Sequence, residues 1–114
     1  MWLFTSSGFI SIVEKDADCL AVRARDVLSL SSLAQSYGVE IRSTPTADYP
    51  YRIFITKDQF KNWLSNQPGQ IDYKNFKSQV SITRGKKFVH ALHEVWSAMH
   101  LVEDKQARSS NENR

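Results

Sequence analysis

Arginines on short alternating segments are the residues of this chain best suited to bind a ligand. Arg23 and Arg25 are two positions apart in VRAR, as are Arg52 and Phe54 in YRIFI. Because side chains along a β-strand alternate between its faces, each pair shares one face of a sheet. If the apolar neighbours face a core, all four gather on the opposite face, with Phe9 as a further candidate. Guanidinium groups pair with phosphates and rings stack on bases, so this face predicts an anionic partner, a nucleic acid or a nucleotide.

A structural role for these arginines is the alternative. Later helices are candidate covers for the face, and Glu40, Asp48 and Asp72 are candidate ion-pair partners. An arginine is rarely buried without a partner, so the face is open, bound to a ligand or paired with acids. We expect at least one of the three strand arginines to remain available for an external anion.

The segment IDYKNFKSQV supplies two further candidates for ligand contact. Phe76 and Val80 are four residues apart, and Asp72 is suited to cap a short helix that carries both. Lys77 lies on the more exposed side of that helix, and capping gives no reason for Tyr73. The predicted ligand-binding residues are therefore Arg23, Arg25, Arg52, Phe54, Tyr73 and Lys77.

Three histidines lie on the last predicted helix. His90 and His93 are spaced to share a metal ion, and Glu94 is adjacent. A catalytic zinc site needs a third strong ligand and a water, and no HExxH or CxxC pattern is present. We interpret the histidines as boundary residues packed beside Trp96 and expect no functional metal.

Signatures of catalysis and of cofactor binding are missing from the sequence. Cys19 opens a strand without an identifiable base, and no GxSxG, P-loop or GxGxxG pattern occurs. Asp16 and Asp18 belong to a turn and do not form an acid/base pair. The sequence therefore predicts a non-enzymatic protein without a cofactor.

Length and composition indicate one domain. The chain has 114 residues, a net charge of +3 and one cysteine, so no intrachain disulfide framework is possible. We find neither a signal peptide nor a membrane-spanning run, and expect a cytoplasmic protein without membrane contact. The predicted domain covers residues 1–103, and the polar segment 104–114 is predicted to be a disordered tail.

The periodicities predict the α+β class, with a small antiparallel sheet. The predicted order β-β-α-β-β is packed with helices and followed by two further C-terminal helices. The first strand covers residues 2–13, with a bend near residues 6–8. Gly38 is expected to end the first helix, and Thr56 with Gln59 has the form of a capping box.

The last helix, residues 86–102, has the clearest helical period of the chain. Its apolar stripe consists of Phe88, Leu92, Val95, Met99 and Val102. We expect the stripe to be structural, with the side chains of Leu92, Trp96 and Met99 largely buried.

Four segments, WLFTSSGFISIV, VRARD, ADYPYR and IDYKNFK, resemble those of a group of small bacterial proteins to which no activity is attached. The resemblance covers about residues 2–100. It implies a whole protein rather than a fragment, and it implies no mechanism.

The sequence thus supports two leading hypotheses of function. The first is a small module that binds an anionic partner through the strand arginines. The alternative is a protein-interaction module, such as an inhibitor or adaptor, in which Tyr49, Tyr51 and Tyr73 serve as contact residues. An enzyme that uses the histidine helix is a third and weaker hypothesis.

Overall fold

A computed structural model describes residues 1–104 of the chain. Within this range the strands are β1 (Trp2–Thr5), β2 (Gly8–Asp16), β3 (Cys19–Ala24), β4 (Arg42–Ser43) and β5 (Tyr51–Ile55). The α-helices are α1 (Leu28–Tyr37), α2 (Lys57–Ser65), α3 (Phe76–Arg84) and α4 (Lys86–Ala98). Short 3-10 helices, Pro68–Gln70 and Met99–Val102, follow α2 and α4.

The strands form one antiparallel sheet in the order β1-β2-β3-β5-β4. This sheet and its helices confirm the predicted α+β class. The segment predicted as a single bent strand is divided into β1 and β2, which form a hairpin with Thr5 paired to Gly8. Gly8 has a φ of +144°, a conformation that favours glycine. The chain therefore reverses where the sequence indicated only a bend.

One face of the sheet, which we call the core face, is apolar and carries α1 and α2. Alternate residues of β2, β3 and β5 point to this face because the strand period is two. They pack against Leu30 and Leu33 of α1 and against Phe60 and Trp63 of α2. The strand residues of this core are Ile10, Ile12, Val22, Ala24, Ile53 and Ile55.

Local capping signals place the C-terminal end of α1 and the start of α2 as predicted. The carboxylate of Asp26 accepts the Ser29 N–H at 3.1 Å, and Gly38 ends α1 with a φ of 61°. Thr56 and Gln59 form both hydrogen bonds of the capping box at the start of α2. These bonds satisfy donors that the first turn of a helix leaves without partners.

Helix α3 begins and ends later than the sequence predicted. Asn75, and not Asp72, is its N-cap, because the Asn75 side chain accepts the Ser78 N–H at 2.9 Å. Helix α3 continues through the SITR segment and ends at Arg84. Gly85 alone separates α3 from α4, and its φ of 86° lets the chain turn there. The two helices form a hairpin and pack on each other.

The side chain of Arg84 attaches this helical hairpin to the rest of the molecule. It is 8% exposed and pairs with the carboxylate of Asp26. One guanidinium nitrogen donates to the Ser7 carbonyl at 2.7 Å and to Ser29 Oγ at 3.2 Å, and the group lies 4.5 Å from the centroid of the Phe88 ring. We call this cluster the Arg84 anchor; its members are Ser7, Asp26, Ser29, Arg84 and Phe88.

The apolar stripe of α4 is buried only in its first half. Leu92 is 7% exposed, as predicted, but Trp96 is 55% exposed and Met99 is 59% exposed. The prediction that Trp96 and Met99 are buried is therefore wrong. Helical periodicity places the stripe on one side of α4, but it does not determine how far a neighbouring surface extends beneath it.

The prediction of a disordered tail falls almost entirely on residues 105–114, which lie outside the described range. Among the helices within residues 1–104, none has both the length and the apolar character needed to cross a membrane.

Candidate ligand-binding site

The face of the sheet opposite the core face carries a row of arginines. Ser11 of β2 pairs with Arg23 of β3, and Arg23 pairs with Arg52 of β5. Arg52 pairs in turn with Arg42 of β4. Phe54 is two residues from Arg52 and therefore lies on the same face. The strand alternation read from the sequence thus holds for Arg23, Arg52 and Phe54.

A groove of about 440 Å³ crosses this face, and we call it the basic groove. The loop between β4 and β5 forms one side of the groove, and β2, β3 and β5 form its floor. Its lining residues are Val13, Glu14, Lys15, Ala21, Arg23, Ala47, Asp48, Tyr49, Arg52 and Phe54.

Arg23 is held in place inside the basic groove. One of its guanidinium nitrogens donates to Ser11 Oγ at 2.8 Å, and its guanidinium lies 4.5 Å from the centroid of the Tyr49 ring. Its Nε is buried and has no hydrogen-bond partner among residues 1–104. A buried donor without a partner is costly, so Arg23 sits in the groove with part of its hydrogen-bonding capacity unused.

Arg52 and Lys15 bring further positive charge to the groove. Lys15 Nζ is 4.0 Å from the centroid of the Phe54 ring, and the Arg42 guanidinium is 5.6 Å from the same ring. Within residues 1–104, neither Lys15, Arg23 nor Arg52 forms an ion pair. Three cationic side chains in the groove therefore lack an acidic partner among the described residues.

The two acidic residues of the groove are paired with cations that do not line it. Glu14 lies 2.9 Å from Lys57 Nζ, and the hydrogen bond and charge of Glu14 raise the pKa of Lys57. Asp48 lies 3.1 Å from Arg25, which also donates to the Asp48 carbonyl at 2.9 Å. These pairs leave Glu14 and Asp48 less able to neutralise the groove cations.

Of the three acids proposed as arginine partners, Asp48 alone forms such an ion pair within the described range, with Arg25, which lies directly after β3. Neither Glu40 nor Asp72 is paired with Arg23, Arg25 or Arg52 there. The pair of Arg25 and Asp48 is exposed, so its contribution to stability is small, about 0–1 kcal/mol.

A second, apolar cavity of about 280 Å³ adjoins the basic groove at Tyr49. We call it the aromatic cavity. It lies between the sheet and α4, where the Phe4 and Phe9 rings stack at 4.6 Å and Trp2 meets Phe9 edge-on at 5.6 Å. Its lining residues are Trp2, Phe4, Phe9, Arg25, Asp26, Ser29, Tyr49, Phe88, Ala91, Leu92 and Val95.

The remaining predicted ligand residues are not in the basic groove. Lys77 lines a groove between α3 and α4, with its Nζ 5.0 Å from the centroid of the Trp96 ring. The Tyr73 ring packs 6.1 Å from the Phe76 ring. Arg25 is at the rim, because it lines the aromatic cavity and stacks on Tyr49 at 4.7 Å. The structure thus brings Arg23, Arg52 and Phe54 together and separates Tyr73 and Lys77 from them.

Sequence reasoning missed three contributors to this region: Lys15, Tyr49 as a groove residue, and the rings of β1. Trp2 and Phe4 alternate with Leu3, which is the pattern that places both on the face of Phe9. The sequence hides this signal because the pattern of residues 2–13 predicts one strand instead of two. No local pattern places Tyr49 over the arginines, since it belongs to a loop.

Two of the three histidines, His93 and His100, pack against Trp96 as expected. The His93 ring stacks on Trp96 at 5.4 Å, and His100 meets it edge-on at 4.8 Å. His90 lies 3.9 Å from Glu94. Within residues 1–104, no group of three or more potential metal ligands is brought together.

A further depression, of about 610 Å³, lies beside α2 and is bordered by Leu20, Phe60 and Leu64. We give it less weight than the basic groove, although it is larger. Its lining is mainly apolar, and Glu14 and Lys57, which border it, are paired with each other. Volume alone does not supply the converging polar groups that mark a binding site.

Comparisons of the chain with protein-family models, with curated proteins and with solved structures found no significant match.

Proposed function

We propose that this protein is a non-enzymatic module that binds a nucleic acid or a nucleotide by its phosphate groups in the basic groove. The observation that carries the proposal is the convergence of Lys15, Arg23 and Arg52 on one groove whose acids are paired elsewhere. We also propose that the protein acts in the cytoplasm, where thiols stay reduced, because its single cysteine is free.

The chemistry of the groove suits phosphate. A guanidinium is planar and offers several donors, which match the oxygens of a phosphate. Arg23 is already positioned by Ser11 and Tyr49, so binding costs it less conformational entropy than it would cost a free surface arginine. The rings of Tyr49 and Phe54 add flat surfaces beside the cations.

The test is fluorescence anisotropy with a labelled single-stranded oligonucleotide of about 12 nucleotides. Affinity is measured at about 50 mM and about 200 mM salt for the wild type and for the Arg23→Ala/Arg52→Ala variant. We expect the variant to bind about tenfold or more weakly and to show a flatter salt dependence.

The matched control is Lys61→Ala/Lys87→Ala, which removes the same charge from exposed positions outside the groove. It should lose less affinity than the groove variant, and both variants should unfold at the wild-type denaturant concentration. Equal losses in the two variants would show that binding depends on overall charge. No binding by the wild type at low salt would refute the proposed function.

A second candidate function is protein interaction, and the C-terminal end of α4 together with the 3-10 helix after it favours this function. Val95, Met99 and Val102 follow helical spacing and are exposed, with Trp96 and Leu101 beside them. Exposed apolar patches on a helix are typical of interaction surfaces. A protein complex formed there should persist at high salt and weaken on Trp96→Ala, whereas the Arg23→Ala/Arg52→Ala variant should leave it intact.

A further inference from the structure

The aromatic cavity is the feature that the phosphate site does not explain. The rings of Trp2, Phe4 and Phe9 line it from the sheet, and Phe88 and Leu92 line it from the helical hairpin. The Tyr49 ring is shared with the basic groove and lies 6.4 Å from the Phe9 ring. The aromatic cavity and the basic groove thus meet at the side chain of Tyr49.

The distance between the two sites matches a single nucleotide. Phe9 and Ser11 are two residues apart on β2, or about 7 Å along the strand. Ser11 pairs with Arg23 on the neighbouring strand, about 5 Å away. The backbones of Phe9 and Arg23 are therefore about 8 Å apart, so the two sites are near enough for the base and the phosphate of one nucleotide to reach both.

The size and lining of the cavity suit one flat ring system. A cavity of about 150 Å³ accepts benzene, and the aromatic cavity has about 280 Å³. That volume accommodates one base but not a base pair. Stacked and edge-on rings provide favourable surfaces for a heteroaromatic ring, and Arg25 and Ser29 at the wall offer polar contacts to its edge.

We propose that the aromatic cavity accepts one unstacked base while the phosphate joined to it lies on Arg23 and Arg52. This inference rests on the proposed function and narrows its ligand to an unpaired nucleotide, either free or within a single strand. A duplex keeps its bases stacked and paired, so it places no base in the cavity. Tyr49 lies between the two subsites and contacts the sugar that connects them.

The test compares four probes on the wild type: a single strand of about 12 nucleotides, the duplex of the same strand, a free mononucleotide and ribose 5-phosphate. We expect the single strand to bind at least about tenfold more tightly than the duplex. A strand that binds more tightly than the mononucleotide identifies the source as a polymer, and the reverse order identifies a free nucleotide. Ribose 5-phosphate lacks the base, so weaker binding of this probe than of the mononucleotide supports insertion of a base. This holds whether the single strand or the mononucleotide binds more tightly.

Two variants address the cavity directly. Phe9→Leu removes a ring from its wall, and Ala91→Phe fills it from an exposed position of α4. Each should weaken binding of the single strand about tenfold, the loss typical of one stacked base, while the salt dependence stays the same. Phe76→Leu, which lies outside both subsites, is the matched control and should bind as the wild type does.

The outcomes separate this inference from the proposed function. If the single strand and duplex bind equally, or if both cavity variants bind as the wild type does while Arg23→Ala/Arg52→Ala does not, the cavity inference is wrong and the phosphate groove stands. If no probe binds, both fail. Because Ala91→Phe removes no contact of the fold, it remains informative even if Phe9→Leu is unstable.

Discussion

Two arginine sites in this molecule are built from similar parts and differ in one carboxylate. In the Arg84 anchor, the guanidinium contacts a serine hydroxyl and an aromatic ring and is paired with Asp26. In the basic groove, Arg23 also contacts a serine hydroxyl and an aromatic ring, but no acid is paired with it within residues 1–104. Under the proposed function, an anionic ligand supplies to Arg23 what Asp26 supplies to Arg84.

The two sites also differ in what their hydrogen bonds connect. Arg84 bonds to residues 77 and 55 positions earlier in the chain, and so joins the helical hairpin to the β1–β2 turn and to α1. Arg23 bonds to the neighbouring strand, which backbone pairing already holds. Loss of Arg84 should therefore affect folding, whereas loss of Arg23 should affect binding.

The largest expected effect is that of Arg84→Ala on stability. The substitution leaves Asp26 and the Ser7 carbonyl without their partner, and the free energy of unfolding should fall by about 3 kcal/mol. Arg52→Ala is the matched control and should change it by less than about 0.5 kcal/mol. Urea denaturation of both variants measures the difference, and similar losses would remove the distinction between the two sites.

Gly8→Ala should disturb the packing of the Arg84 anchor without removing either of its charged groups. A Cβ at this position would lie 2.2 Å from Ser29 Oγ and 2.4 Å from the Arg84 guanidinium. Overpacking of this kind costs about 1–3 kcal/mol, and the positive φ of Gly8 adds strain. Gly69→Ala, where a Cβ meets no atom within 4 Å, should be nearly neutral in the same denaturation experiment. A neutral Gly8→Ala would mean that the anchor is loosely packed.

A carboxylate added to the basic groove should give its arginines an acidic partner, as Asp26 does for Arg84 in the anchor. Ala47 lines the groove from the loop, so Ala47→Asp places a negative charge near Arg23 and Arg52. We expect oligonucleotide affinity to fall about tenfold, with little change in stability. Ser32→Asp carries the same charge on α1, on the core side of the sheet, and should have a smaller effect in the same anisotropy assay. Unchanged affinity for Ala47→Asp would place the ligand elsewhere.

The smallest effect concerns pH. Burial raises the pKa of Asp26, but hydrogen bonds from Ser29 and Arg84 and the charge of Arg84 outweigh it, so the pKa lies below its usual value. This stabilisation is complete above the unfolded pKa, near 4, and is lost as pH falls through the folded pKa. Unfolding free energies measured from about pH 6 to about pH 2 should therefore decline less steeply in Asp26→Asn. Parallel pH profiles would contradict the assigned role of this carboxylate.

Local patterns predicted a large part of the fold and some of the site. Alternation in YRIFI and VRAR placed Arg23, Arg52 and Phe54 on one face, and the capping signals of Thr56 and Gly38 were correct. The cap of α3 was misassigned because Asp72 and Asn75 are both good N-caps, and sequence alone does not rank them. Tyr73 and Lys77 were grouped with the arginines by chemical type, which carries no information about distance.

What the sequence determined by itself was the set of local preferences: which side chains share a strand face, where two helices begin or end, and that arginines oppose the apolar face. These follow from periods of 2 and 3.6 residues and from hydrogen bonds within one helical turn. Tertiary structure alone decided that Asp26 pairs with Arg84, 58 residues away, and that Tyr49 covers Arg23. It also decided that Leu92 of α4 is buried, whereas Met99 in the 3-10 helix that follows is exposed. Periodicity orients a side chain relative to its own element, and only the packing of distant elements determines what that side chain meets.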